Sequence, residues 1–247
     1  MTGPGSATGS GATQPTPGQR RPWVVGVSGA SGTPYAAAVL RGLLDAGADI
    51  DLVISRAARL TLLDETGITW SQSGWATCLA EWVGRSADVL SVRVRHWAPG
   101  DLGAGPASGS YPTRGMVVVP ASTASVAGIA LGLSKDLLQR AADVTIKEGR
   151  RLVVVPRETP LTSITLEHLL SLARAGVVVA PASPGFYTGA QTVADLVDFV
   201  AGKVLDNLGV EHQLLHRWSG QLGTSSGPNA AGSPGHARGS ERPGGWS

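Results

Sequence analysis

The chain has 247 residues, of which 42% are hydrophobic, and a formal net charge of +2. The excess positive charge lies near the two ends, and no basic stretch carries interleaved aromatic residues, which argues against nucleic-acid binding. Cys78 is the only cysteine, which excludes an internal disulfide and a Cys-rich zinc site. No apolar run reaches the roughly 18 residues of a membrane helix, and we expect a cytoplasmic protein.

The two ends of the chain differ in composition from its middle. Residues 1–22 and 219–247 are rich in Gly, Ser and Pro and nearly lack large apolar side chains. Such segments bury too little apolar surface to offset the entropy of ordering, so we predict two disordered tails. Residues 23–218 are predicted to form one folded domain.

The middle of the chain alternates short β-branched runs with amphipathic stretches. Strands are predicted at Trp23–Ser28, Ile50–Ser55, Val89–Val94, Met116–Val119, Leu152–Val155 and Val177–Ala180. Helices are predicted at about 34–46, 56–65, 75–85, 123–131, 136–148, 163–175 and 192–208. The run Met116–Val119 is apolar on both faces, as in parallel strands covered by helices. The alternation predicts an α/β fold with a doubly wound, mostly parallel sheet, whose ligands bind at the carboxyl ends of the strands.

A glycine-rich turn follows the first predicted strand. Its glycines are spaced Gly26-x-x-Gly29-x-x-Gly32, which differs from the dinucleotide pattern G-x-G-x-x-G. The second strand ends in Ser55, where an NAD enzyme carries an acidic residue for the ribose. These features favour a mononucleotide over a dinucleotide, although a merely tight turn explains the glycines equally well.

Hydroxyl groups follow the fourth predicted strand, in the segment Pro120–Ser125. Ser122, Thr123 and Ser125 stand at a helix start, where a hydroxyl is an ordinary N-cap. An N-cap accounts for one hydroxyl and less well for three, so we interpret this segment as a second part of the ligand site.

Charged residues occur at several of the same places. Arg140 and Lys147 are seven residues apart and therefore on one helical face, which is either solvated or part of an anion site. Arg157 and Glu158 follow the fifth strand, where they suit anion recognition and proton transfer better than a local ion pair. Lys203 lies at the border of an apolar stripe, so it either snorkels to solvent or binds a phosphate.

From about Val24 to Trp218, the residues are similar to those of the UbiX-like flavin prenyltransferases. The segments that carry the resemblance are SGASG (28–32), ISRAA (54–58), DET (64–66), PASGS (106–110), RAADVTIKE (140–148), VVVPRETP (153–160) and PGFY (184–187). This family shares its flavoprotein fold with peptidyl-cysteine decarboxylases. The resemblance implies a Rossmann-like homo-oligomer, a dodecamer with sites between subunits, which prenylates N5 and C6 of reduced FMN for a UbiD-like decarboxylase.

The resemblance also implies a role for each of fifteen residues. The implied FMN contacts are Gly29, Ala30, Ser31, Ser55, Ser122, Thr123, Ala124, Ser125 and Arg157. The implied contacts to dimethylallyl phosphate are Arg140, Lys147, Tyr187 and Lys203. Glu158 is the implied acid/base group, and Ser31 and Glu65 assist it near the flavin N5.

Three positions depart from the family pattern. The family often has Cys at the position of Ala121, Gly at that of Ala124 and Arg at that of Gly149. The first two departures could alter the flavin cradle, whereas the third lies outside the implied site.

The sequence lacks the Asp-rich DDxxD motif with which many prenyltransferases bind magnesium. We therefore expect no metal and a clamp of fixed cations around the departing phosphate. His212 and His216 have a metal-ligand spacing, but we interpret them as a surface pair. Two alternatives remain open: a flavin-dependent decarboxylase of the peptidyl-cysteine type, and a non-catalytic FMN-binding partner of a decarboxylase.

Overall fold

The computed structural model describes residues 21–215. The predicted tails therefore lie almost wholly outside the described residues. Six strands form one sheet: β1 (Trp23–Val27), β2 (Ile50–Ile54), β3 (Val94–Trp97), β4 (Gly115–Ala121), β5 (Arg151–Pro156) and β6 (Val178–Val179). All neighbouring strands are parallel, in the order β3-β2-β1-β4-β5-β6. This order is that of the doubly wound nucleotide-binding fold and confirms the predicted fold class.

Eight α-helices lie within the described residues. They are α1 (Thr33–Asp45), α2 (Arg56–Thr66), α3 (Trp75–Val83), α4 (Ala87–Arg93), α5 (Thr123–Ala130), α6 (Leu137–Lys147), α7 (Ser163–Arg174) and α8 (Val193–Leu208). Seven of them confirm the predicted helices. None of the helices in residues 21–215 is long and apolar enough to cross a membrane.

The sheet separates two apolar layers because alternate strand residues point to opposite faces. Val25 and Val27 of β1 belong to a core that includes buried side chains of α1, α3 and α8. Val24 belongs to the other core, with side chains of α5, α6 and α7. Helices α6 and α8, which carry several candidate residues, therefore lie on opposite faces of the sheet.

The predicted strand Val89–Val94 is wrong, since these residues form most of α4 and the strand begins only at Val94. Ser86 caps α4 by accepting a hydrogen bond from the backbone N–H of Val89. Leu90 and Val94 are buried four residues apart, whereas Val89 is exposed. The apolar pattern is thus helical up to Val94, although its β-branched residues favour a strand.

The strand order reverses between β1 and β4, which lie side by side in the middle of the sheet. Connections leave these two strands in opposite directions, so their carboxyl ends border an open crevice. The turns after Val27 and after Ala121 both open onto this crevice. The fold therefore places the glycine-rich turn beside the hydroxyl-rich segment.

Candidate functional site

A buried serine joins the two turns across the crevice. Ser28 Oγ donates to the carbonyl oxygen of Pro120 at 2.9 Å and accepts from the backbone N–H of Ser122 at 2.7 Å. A buried hydroxyl with both a donor and an acceptor partner fixes the backbone on each side of it. Ser28 therefore sets the spacing between the turn after β1 and the turn after β4.

Arg157 connects the end of β5 to the turn after β1. Its Nε donates to the carbonyl oxygen of Ser31 at 3.0 Å. The exposed Glu158 points elsewhere, since its Oε1 accepts from the backbone N–H of Thr159 at 3.0 Å. The two neighbouring charged side chains thus have different partners, which removes the interpretation as a local ion pair.

The turn after β1 packs tightly against the first turn of α2. A Cβ atom on Gly29 would lie 2.3 Å from the Cβ of Ala57, so only glycine fits there. Gly32 has a φ of +114°, a left-handed conformation that also favours glycine. Ser55 caps α2 by accepting from the backbone N–H of Ala58 at 3.1 Å. The glycines therefore serve a close approach of two turns, and Ser55 stands beside them.

Glu65 binds the amino-terminal end of α1. Its carboxylate accepts from the backbone N–H groups of Gly32 and Thr33, both at 2.8 Å, and from Thr33 Oγ1 at 2.6 Å. Partial burial raises the pKa of Glu65, but hydrogen bonds from Thr33, Ser31 and the backbone outweigh it and leave the pKa below its usual value. Glu65 is therefore an ionised cap at neutral pH, favoured by the helix dipole.

The first turn of α5 holds the hydroxyl-rich segment. Ser122 Oγ accepts from the backbone N–H of Ser125 at 3.2 Å and lies 3.1 Å from Ser125 Oγ. Ser122 is thus an ordinary N-cap, so the N-cap interpretation accounts for this one of the three hydroxyl groups. The first N–H groups of a helix have no acceptor within the helix, which makes this end suitable for an anion.

Two candidate cations lie together on α6, as their spacing predicts. The guanidinium of Arg140 donates to Asp143 Oδ2 at 2.7 Å and, through Nε, to the carbonyl oxygen of Ala107 at 3.2 Å. The Lys147 ammonium pairs with Glu148. A Cβ atom on Gly109 would lie 2.7 Å from Lys147 Nζ. Both cations therefore border the loop 105–113.

The other two candidates for the prenyl phosphate, Tyr187 and Lys203, lie near α8. The Tyr187 side chain is 65% exposed, and its ring packs edge-to-face against Phe199 with centroids 5.8 Å apart. The Lys203 side chain is 53% exposed, with its Nζ 3.9 Å from Asp206 Oδ2. At this exposure both groups are accessible to a ligand.

A single chain does not bring the four phosphate candidates together. Arg140 and Lys147 lie on one face of the sheet, and Lys203 lies on the other. Lys147 precedes the start of β5 and Arg157 follows its end, and a six-residue strand spans about 20 Å. The candidate residues therefore form two separate groups in one subunit.

His212 does not belong to a surface pair. Its side chain is 2% exposed, with Nε2 3.1 Å from Asp206 Oδ1 and Nδ1 accepting from the backbone N–H of Leu214 at 3.1 Å. The tautomer with its proton on Nε2 accounts for both contacts, because Nδ1 then accepts from Leu214 and Nε2 donates to Asp206. The chain thereby folds back along α8, where His212 and Leu215 lie close to Gly202. His216 lies outside the described residues, and within residues 21–215 no cluster of three His, Cys, Asp or Glu side chains could hold a metal.

Sequence reasoning also missed Arg150. Its guanidinium donates to the carbonyl oxygens of Gly109 and Tyr111 and to Thr113 Oγ1, at 2.6, 2.9 and 3.1 Å. The only signal in the sequence is its place directly after the segment that carries Arg140 and Lys147.

Comparisons with known proteins identify the family. The Flavoprotein family matches residues 12–205. Flavin prenyltransferase UbiX of Streptomyces coelicolor is 65% identical over 209 residues, which cover 82% of this chain and 97% of that protein. Flavin prenyltransferase UbiX of a Synechocystis strain is 48% identical and covers 82% of this chain and 98% of its own.

Two solved structures are similar over nearly the whole of their own chains. AnUbiX in complex with FMN and dimethylallyl pyrophosphate has a TM-score of 0.71 at 35% identity, covering 82% of this chain and 100% of that one. A dodecameric FMN-dependent UbiX-like decarboxylase from Escherichia coli O157:H7 has a TM-score of 0.69 at 40% identity, covering 81% and 99%.

Proposed function

The chain belongs to the UbiX-like flavin prenyltransferases, and from that premise we propose that it transfers a dimethylallyl group from dimethylallyl phosphate to N5 and C6 of reduced FMN. The observation that carries the proposal is the crevice at the carboxyl ends of β1 and β4. It is bordered by a turn without space for a side chain at Gly29, by hydroxyl groups and by Arg157.

The residues at the crevice fit a flavin mononucleotide. We assign one wall of the flavin site to Gly29, Ala30 and Ser31, a second to Ser55, and a third to Ser122 to Ser125 with Arg157. Glu65 already occupies the end of α1, so a phosphate meets less repulsion at the first turns of α2 and α5. Reduced FMN, when bound, would supply the two nucleophilic atoms, N5 and C6.

The departing phosphate needs positive charge around it. Arg140 and Lys147 supply it from α6, and Lys203 supplies it from the other face of the sheet, where the phenol of Tyr187 adds a hydrogen-bond donor. Because these two groups lie apart in one chain, we propose that α6 of one subunit faces α8 of another in the assembled enzyme. Fixed cations that stabilise developing negative charge give a large part of many rate enhancements.

Glu158 is suited to take up the proton that the second ring bond releases. Its Oε1 accepts from Thr159, which leaves Oε2 able to receive a proton. The ionised Glu65 holds Ser31 and the end of α1 in place, so we assign it the orientation of the first turn. These roles let acid–base chemistry and phosphate binding reside on different elements.

The product of this reaction is a modified flavin, so another protein must consume it. We propose a UbiD-like decarboxylase as that consumer. We also propose a cytoplasmic location, since reduced flavin persists in a reducing compartment. Separation of cytoplasmic and membrane fractions, followed by immunodetection of the chain, tests the location.

The proposed activity is tested by the mass of the flavin. After anaerobic incubation of the full chain with reduced FMN and dimethylallyl phosphate, the extracted flavin should gain the mass of one C5H8 unit. EDTA in a parallel reaction should not change this yield. Unmodified FMN after long incubation would instead support the binding-partner alternative, and inhibition by EDTA would contradict a clamp built from side-chain cations.

A further inference from the structure

The loop 105–113 is held along α6 at several points. Near its start, the carbonyl oxygen of Ala107 accepts from Arg140. Towards its end, the carbonyl oxygens of Gly109 and Tyr111 and the hydroxyl of Thr113 accept from Arg150. The loop thus lies between two arginines that flank Lys147 in the sequence.

The position of Arg150 is itself rigid. Gly149 ends α6 with a φ of +64°, and the backbone N–H of Arg150 donates to the carbonyl oxygen of Thr145 at 2.9 Å. The guanidinium reaches three acceptors because it is planar and carries several N–H donors in a fixed fork. A lysine at this place cannot reach the same three acceptors from one ammonium group.

The loop in turn limits where the Lys147 side chain can lie. Gly109 contacts the Lys147–Glu148 ion pair so closely that a Cβ atom would lie 2.2 Å from Glu148 Oε1. Since Arg150 holds the carbonyl oxygen of the same Gly109, a shift of the guanidinium moves the surface on which the lysine rests. Direct contacts therefore connect Arg150 to Gly109 and Gly109 to Lys147.

We propose that Arg150 is a positioning residue for the prenyl-phosphate site: it holds the loop 105–113 so that the Lys147 ammonium keeps one place. The inference rests on the proposed function, because that function assigns Lys147 to the phosphate. We assign Arg150 no contact with the flavin or the prenyl donor. Its loss should weaken capture of dimethylallyl phosphate and leave FMN binding intact.

The test compares Arg150→Lys with Arg151→Lys. Arg151 is the adjacent arginine, but its guanidinium donates to the carbonyl oxygen of Asn207, near the end of α8 and away from the loop 105–113. Loss of hydrogen bonds from a charged group should raise the KM for dimethylallyl phosphate about 10-fold in Arg150→Lys, with kcat much less affected. Arg151→Lys should leave this KM unchanged, and both variants should bind FMN like the original chain.

Gly109→Ala changes the same contact at the loop residue instead of at the arginine. Its added Cβ atom displaces the Lys147–Glu148 pair, so the KM for dimethylallyl phosphate should rise here too. Because both changes act through one loop, the double variant should lose less than the product of the two single effects. Independent, multiplying effects would overturn the proposed chain of contacts.

Calorimetric titration of the FMN-loaded protein with dimethylallyl phosphate provides a readout that does not depend on turnover. If the original chain makes no prenylated flavin, the proposed function fails, and the titration still tests Arg150. An unchanged dissociation constant in Arg150→Lys would overturn the positioning role. So would a parallel loss of FMN affinity, of melting temperature or of the oligomer in size-exclusion chromatography, since each would indicate a general structural role.

Discussion

Glu158 and Lys203 illustrate which candidate site residues can be predicted from the position of a single residue in the sequence. Glu158 was predicted from the rule that ligands bind near strand ends, and Lys203 from its place at the border of an apolar helical stripe. The family resemblance implied a role for both, and each has an accessible side chain. The contacts of Glu65 and Arg150 could not be predicted, because each depends on a loop about 30 to 40 residues away along the chain. No local pattern encodes the packing of such loops, whereas strand ends follow from periodicity alone.

Glu158→Gln should separate flavin binding from chemistry. The amide keeps the shape of the side chain but cannot take up a proton as a carboxylate does. FMN should bind as before, because the turns after β1, β2 and β4 are unchanged. Turnover should fall by about 10²–10⁴, the usual loss for a general acid/base. Single-turnover kinetics with pre-bound FMN measure this, and a loss of FMN affinity would show that Glu158 holds the flavin instead.

Lys203→Ala is the companion variant and should act on the other substrate. It removes one of several cations, so affinity for dimethylallyl phosphate should fall about 10- to 150-fold while FMN is retained. Titration with FMN and then with dimethylallyl phosphate distinguishes the two effects. Loss of FMN with normal affinity for dimethylallyl phosphate would contradict the assignment of α8 to the prenyl site.

Among the elements, the edge strand β3 is the one whose prediction failed and whose surroundings are most aromatic. The runs in β4 and β5 are apolar on both faces and were therefore recognisable as buried parallel strands. The segment before β3 was harder to assign from the sequence, because some of its valines lie in α4 and the last one begins β3. His96 of β3 packs against the rings of Trp70 and Trp75, with centroids 5.3 and 5.9 Å away.

The imidazole of His96 should make this edge of the sheet sensitive to acid. Burial, with a smaller contribution from the Arg59 charge, lowers the pKa of His96 to about 4 from an ordinary value of 6.5. The fold thus disfavours the imidazolium, so this stabilisation is complete above pH 6.5 and is lost as the pH falls towards 4. We expect a loss of about 1–2 kcal/mol after allowing for partial solvent screening.

Melting temperatures at fixed protein concentration measure this effect. The decrease between pH 6.5 and 4 should be smaller in His96→Phe than in the original chain by roughly 2–8 °C. The matched control is His168→Phe on α7, on the other face of the sheet, which should keep the original decrease. An unchanged decrease in His96→Phe would exclude His96 as the acid-sensitive group.

At the scale of the whole molecule, the separation of α6 and α8 predicts complementation between weakened variants. Lys147→Ala and Lys203→Ala subunits, mixed by co-expression, should form product at a low dimethylallyl phosphate concentration faster than either variant alone. If each site combines α6 of one subunit with α8 of another, random mixing leaves about a quarter of the sites with both lysines.

The matched control mixes Lys147→Ala with Arg140→Ala. Both changes lie on α6, so every site retains one defect and the mixture should be no faster than the two variants alone. Equal recovery in both mixtures, or none in either, would contradict a site shared between subunits. The assay is the rate of prenylated flavin formation at equal total protein.

The strand order also determines what the growing chain exposes during its synthesis. β1 lies in the middle of the sheet, yet one of its two neighbours, β4, follows the end of β3 by some twenty residues. At ordinary translation speeds, those residues take about 1–5 s to emerge from the ribosome. During that time one edge of the apolar strand Trp23–Val27 is unpaired. Unpaired strand edges promote the aggregation of nascent chains. Slower codons between residues 98 and 121 should therefore lower the yield of folded protein more than slower codons after β5.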